Sequence, residues 1–162
     1  MSVLNIIDKR LIEVGYNTLT PFEKNNLTAR IAELKGILYN EVSEQVLLDY
    51  HKDIKIKQLS DMCEQTILEG FLATNGHTYR TNRDDQTNMI GQKDYLIDNP
   101  SVETVKWKTE DVGYIDHLRD EWLLVYLEGF SHKQTQLFKY DGLKKSVATA
   151  ETHEEIVNVV WD

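Results

Sequence analysis

The densest collection of chemically capable side chains lies between residues 76 and 92. The stretch "GHTYRTNRDDQTNMIGQ" sets arginines, aspartates, asparagines and a histidine between apolar segments. Asp84 and Asp85 could hold a divalent cation, and Arg83 could orient a phosphate. A calcium loop needs oxygen ligands at alternate positions, a central glycine and a distal glutamate. Asp84, Gln86 and Asn88 alternate, but no glycine follows at the required place and Lys93 stands near the distal position. Asp, Asn and Gly also build turns, because their side chains bond nearby backbone and tolerate left-handed geometry. The turn is the preferred reading.

The other candidates are weaker. None of the histidines, His51, His77, His117, His132 and His153, pairs at the i, i+4 spacing of a zinc-protease helix. His117 beside Asp116 could be a general base with its orienter. Equally, Asp116 could cap a helix and leave His117 half-exposed at a strand end, which is the reading preferred here. Cys63 is the one cysteine, so no internal disulfide exists, and its helical, acidic setting predicts an inert thiol. "GQKDY" and "GLKKS" lack the spaced glycine of a phosphate loop, and no serine sits in a nucleophile elbow. No enzymatic activity, cofactor or metal is expected. An active site would have to be assembled across the fold from Asp84, Asp116, His117 or His153.

Helices must position most of these residues. Leu4, Ile7, Leu11 and Val14 share one face of a helix that Ser2 can cap and Gly15 can end. "TPFE" supplies Thr20 as cap, Pro21 at the first helical position and Glu23 to close a capping box. Leu27, Ile31, Leu34 and Leu38 continue at helical spacing, with Val42, Val46 and Tyr50 beyond. The charged "HKDIKIKQ" at 51–58 predicts a hinge or kink, and a further helix from about Ser60 carries Met62, Ile67, Leu68 and Phe71 inward to a stop at Gly76. In "VETVKWKTEDVGYIDHL", Val105 and Trp107 alternate with Lys106 and Lys108, which predicts a β-hairpin about the turn at 110–113. A helix then runs from an Asp116 cap through Trp122, Val125, Tyr126 and Phe130. A last one starts at the Thr152–Glu155 capping box and ends the chain at Trp161. The tryptophans Trp107, Trp122 and Trp161 are read as core, with one or two available as contact anchors.

Charge divides the chain. Residues 1–60 are neutral, and residues 61–162 carry the whole net charge of −9. An acidic surface repels phosphate, so nucleic-acid binding is not expected, although an acidic domain could imitate DNA. No apolar run reaches the length of a signal peptide or a membrane span, and a soluble chain made in the cytosol is expected.

The order of features in residues 61–162 resembles a small domain of bacteriophage tail proteins. The motifs are "GF.A..GH.YR.N.DDQ.NM.GQ", "V.WKTEDVG", "EW", "KY..LK" and "A.T.EEI". That family is catalogued without an assigned function, and its members occur beside or within tail-fibre and baseplate components. The resemblance implies a strand-and-turn element in which Arg80, Arg83, Asp84 and Asp85 fix a turn, with Gly76 and Gly91 supplying unusual backbone angles at its ends.

The expected fold is therefore α+β and mainly helical. An N-terminal helical hairpin or oligomerisation segment (1–60) precedes an acidic domain (61–162) of helices with a short antiparallel β-hairpin. The expected function is a structural connector of a phage tail, in the baseplate or tail fibre, acting through protein–protein contacts. Its partners would be other tail proteins and copies of itself, with Leu4, Ile7, Leu11, Leu27, Ile31, Leu34 and Leu38 as the contact stripe. It would reside in the virion and, during assembly, in the host cytoplasm. The alternatives are a tail-fibre assembly chaperone and an acidic DNA mimic that inhibits the host.

Overall fold

The computed structural model describes residues 5–162. Its first helix, α1 (Ile6–Val14), starts at Asn5, whose side-chain oxygen accepts the Asp8 N–H at 2.8 Å while the Asp8 carboxylate accepts the Asn5 N–H at 3.4 Å. The expected cap Ser2 and stripe residue Leu4 lie outside the described residues. Gly15 ends the helix with φ 75°, as its position in the sequence predicts. In α2 (Pro21–Lys35) the Thr20–Glu23 capping box forms in both directions, at 3.3 and 2.8 Å.

The apolar stripe expected to run through Leu38 to Tyr50 stops short. Gly36 adopts the left-handed conformation (φ 64°), and the N–H groups of Gly36 and Ile37 bond back to the Glu33 and Ala32 carbonyls. This closes the helix. Leu34 and Leu38 are left exposed, and the next helix, α3, starts only at Glu44.

α3 (Glu44–Glu69) passes straight through residues 51–58, where the charged run predicts a hinge. His51, Ile54, Lys55 and Leu59 are all buried along this segment, so the run contributes core area with its aliphatic stems and its imidazole. The solvent-side lysines keep the helix wet, and Lys52 also reaches the Ala148 carbonyl at 3.1 Å.

The chain forms two units. One comprises the residues up to Met62 together with Tyr140–Asp162, and the other is Cys63–Lys139. The expected boundary between 60 and 61 lies close to this division, but inside α3, and the closing residues belong with the N-terminal helices rather than with residues 63–139. The first unit holds α1, α2, most of α3, the end of α5 (Arg119–Thr149) and α6 (His153–Asn158). α6 has the predicted Thr152–Glu155 capping box but stops at Asn158, not Trp161. One core cluster joins Leu11, Leu27, Ile31, Leu47 and Ile54, and another joins Leu59, Val147, Ala150 and Ile156, with Trp161 packed against it.

In the second unit, Gly70 ends α3 with φ 99°, and Phe71 opens a short strand, β1 (Phe71–Leu72), that pairs antiparallel with β2 (Thr78–Tyr79). Gly76 turns this hairpin instead of stopping a helix. The predicted hairpin forms as β3 (Thr104–Thr109) and β4 (Gly113–Leu118), with Val105 opposite His117 and Trp107 opposite Ile115. Asp116 lies inside β4 and does not cap α5, which begins at Arg119. Trp122 and Val125 of α5 join Tyr79, Met89, Leu96 and Val105 in the core, whereas Phe130 is exposed.

Candidate functional site

The expected contact stripe is divided by burial. Leu11, Leu27 and Ile31 are fully buried in the first unit's own core, against α3 residues such as Leu47 and Ile54, and Ile7 packs at its edge. Their partner is the chain itself, so they are withdrawn from any external interface. Leu34 and Leu38 remain exposed. A buried polar clasp accompanies this core. Asp8 accepts Tyr50 Oη at 2.7 Å and Arg30 Nη2 at 3.3 Å, tying α1 to α3 and α2. Burial, then the hydrogen bond to Asp8, raises the Tyr50 pKa and keeps the phenol protonated.

The segment 76–92 is no turn framed by two glycines. Residues 83–98 form α4 (Arg83–Asp98), and Gly91 sits in its interior without a positive φ. Asn82 caps the helix by accepting the Asp85 N–H at 2.9 Å. Asp84 and Asp85 occupy the first turn, where the helix dipole favours carboxylates. The cluster that reads as turn chemistry is a helix start, since caps and turns draw on the same residues. Of the expected turn pairing, Arg80 Nε meets Asp85 Oδ2 at 2.8 Å, but Arg83 pairs instead with Glu64 of α3. No group of three or more His, Cys, Asp or Glu residues able to hold a metal occurs among the described residues.

The other candidates are not brought together as an acid–base pair. Strand alternation turns Asp116 outward, near Lys106 at 3.9 Å, and turns His117 inward to full burial rather than half exposure. Desolvation lowers the His117 pKa, so the ring is neutral at neutral pH. It lies 3.5 Å from Tyr79 Oη and 4.0 Å from Glu121. Asn75 Nδ2 bonds Tyr79 Oη at 2.8 Å, whereas His117 Nδ1 is buried with no hydrogen-bond partner among the described residues. His153 belongs to the first unit, 2.9 Å from His51. His77 bonds Asp111 at 2.8 Å, and this contact brings the Asp111 pKa down to about 2. Cys63 is buried, and desolvation with the neighbouring Glu64 raises its pKa, in keeping with an inert thiol.

A feature that the sequence reading missed lies between α4 and α5. Met89, Ile90, Tyr126, Phe130 and Leu137 line a mainly apolar groove of about 350 Å3, with Lys133 at its rim bonded to Gln86 at 2.7 Å. Ile90, Phe130 and Leu137 are 50%, 53% and 45% exposed, so large apolar area stays in water along one line. Gly129 lets Phe71 and Met89 approach the α5 backbone and forms part of the groove floor. The available signal was Phe130 and Leu137 seven residues apart on one helix face, which sequence alone does not distinguish from core. No helix among the described residues is long and apolar enough to cross a membrane.

Residues 50–160 match the model of a family described as a domain of unknown function, DUF4376. The matched span takes in α3 from Tyr50 onward and so includes parts of both units. No curated protein and no solved structure matches the chain.

Proposed function

The chain belongs to the DUF4376 family, and we propose that it is a non-enzymatic structural component of a bacteriophage tail, a baseplate or tail-fibre connector that acts through protein–protein contacts. The α4–α5 groove carries this reading. Its three half-exposed apolar side chains would each gain about 1 kcal/mol on burial, enough to anchor a helical segment of a neighbouring tail protein. The motif order in residues 61–162 supplies the tail context. The contact surface assigned to the N-terminal stripe moves to this groove, because Leu11, Leu27 and Ile31 are spent on the chain's own core.

Quantitative mass spectrometry of gradient-purified phage particles tests the proposal. A fixed ratio to the major tail proteins, in multiples set by tail symmetry, is the expected result. Absence from particles with abundance in infected-cell lysate would discard it in favour of the assembly chaperone or the acidic DNA mimic.

A further inference from the structure

The second unit also carries a polar pocket of about 470 Å3 between α4 and the β3–β4 hairpin. We propose that it binds a saccharide, with preference for a sugar that bears a carboxylate. The inference stands on the pocket and not on the tail role.

Three kinds of group meet there. Asn88 and Gln92, one helical turn apart on α4, present side-chain amides with no hydrogen-bond partner among the described residues. Each offers donors and an acceptor in one plane, the pattern that vicinal sugar hydroxyls satisfy. Arg80 is held at Nε by Asp85 at 2.8 Å and lies 3.8 Å from Glu110, so its fork is fixed in place with its outer N–H groups left for a ligand. Trp107, on the inward face of β3, is braced against Trp122 (ring centres 5.1 Å apart, 62° between planes), whereas Tyr114, 70% exposed, shares the outward face of the hairpin with its strand partner Lys108. The exposed Tyr114 ring suits the C–H face of a pyranose, and the polar groups suit its rim.

Charge selects the kind of sugar. Arg80, Lys106 and Lys108 outnumber Asp85 and Glu110 in the pocket, in a chain whose net charge is −9. Lys108 has no carboxylate within 4.0 Å among the described residues, whereas Arg80 and Lys106 do. One ring carboxylate would complete the balance at Lys108. The two pocket carboxylates disfavour a phosphate polyanion.

The test uses the isotope-labelled full chain, titrated by NMR with trigalacturonic acid and, separately, with neutral galactotriose. The acidic sugar is expected to shift the Trp107 indole and the α4 amides near Gln92, with neutral sugar roughly tenfold weaker, as for one charge-assisted hydrogen bond lost. Tyr114→Ala and Gln92→Ala should abolish the shifts, and Lys108→Gln should erase only the preference for acid. All three are surface changes that leave the spectrum otherwise folded. No shift with either sugar, equal binding of the two, or undiminished binding by Tyr114→Ala would overturn the proposal.

Discussion

His51 Nδ1 and His153 Nδ1 face each other at 2.9 Å across 102 residues of sequence, their rings stacked inside the first unit. At that distance one ring donates and the other accepts, which requires at least one neutral imidazole. Burial, then His153, then Lys55 brings the His51 pKa down to about 3 from 6.5, and burial also lowers that of His153, against a smaller opposing pull from Glu44.

Stability of the first unit should therefore fall in acid before most carboxylates titrate. Between the ordinary 6.5 and about 3 the unfolded chain binds more protons at these positions than the folded one, so stability rises with pH through that window and levels off above it. Urea midpoints measured from pH 7.5 to 5 should decline for the natural chain and decline less for the H51Q/H153Q double variant. Parallel pH profiles for the two proteins would show that this pair does not govern the response. Asp111, depressed to about 2 by His77, titrates below this range.

The Asp8 clasp should be strongly coupled. Asp8→Ala leaves Tyr50 and Arg30 without their shared acceptor and should cost about 3 kcal/mol. Tyr50→Phe removes one hydrogen bond while Asp8 keeps Arg30 and the Asn5 amide, so about 1 kcal/mol is expected. In a double-mutant cycle by chemical denaturation the two losses should fall well short of additive. Strict additivity would mean that the clasp contributes nothing as a unit.

Two glycines should respond in opposite directions. A Cβ at Gly70 would collide with the Tyr79 carbonyl and stand 3.0 Å from Arg80 Cα, at φ 99°, so Gly70→Ala should cost 2 kcal/mol or more, roughly. Gly91 is helical, exposed and has open space around it, so Gly91→Ala should stabilise by about 0.5–1 kcal/mol. Thermal melts of both variants decide the matter, and a destabilised Gly91→Ala would contradict the helix placed there.

The groove should be separable from the fold. Phe130→Lys places a charge on a side chain that is already half in water, and its effect on stability should stay within about 0.5 kcal/mol. On the tail proposal, the same change should remove the protein from assembled particles. Normal incorporation of a folded Phe130→Lys chain would assign the contact to another surface.

Local signals were legible from residues alone. The Thr20–Glu23 and Thr152–Glu155 boxes, the Gly15 stop and the 104–118 hairpin each depend on groups within a few positions of one another, and each formed as read. Other local readings went astray, Asp116 as a helix cap and Gly76 as a helix stop among them, because one residue type serves more than one purpose. The Asn–Asp run at 82–85 caps α4 instead of closing a turn, and the charged run at 51–58 continues α3 because His51 and Lys55 are buried.

What the tertiary structure alone decided is which apolar face meets which. At helical spacing Leu11, Leu27 and Ile31 look no different from Phe130 and Leu137, yet the first three close the core and the others stay in water. Periodicity specifies that a stripe must be buried, whereas the covering element is set by packing between segments far apart in the chain. α3 supplies that cover to Leu11, Leu27 and Ile31 and sets Tyr50 on Asp8, while residues 140–162 return to cover Leu59 and to bring His153 against His51.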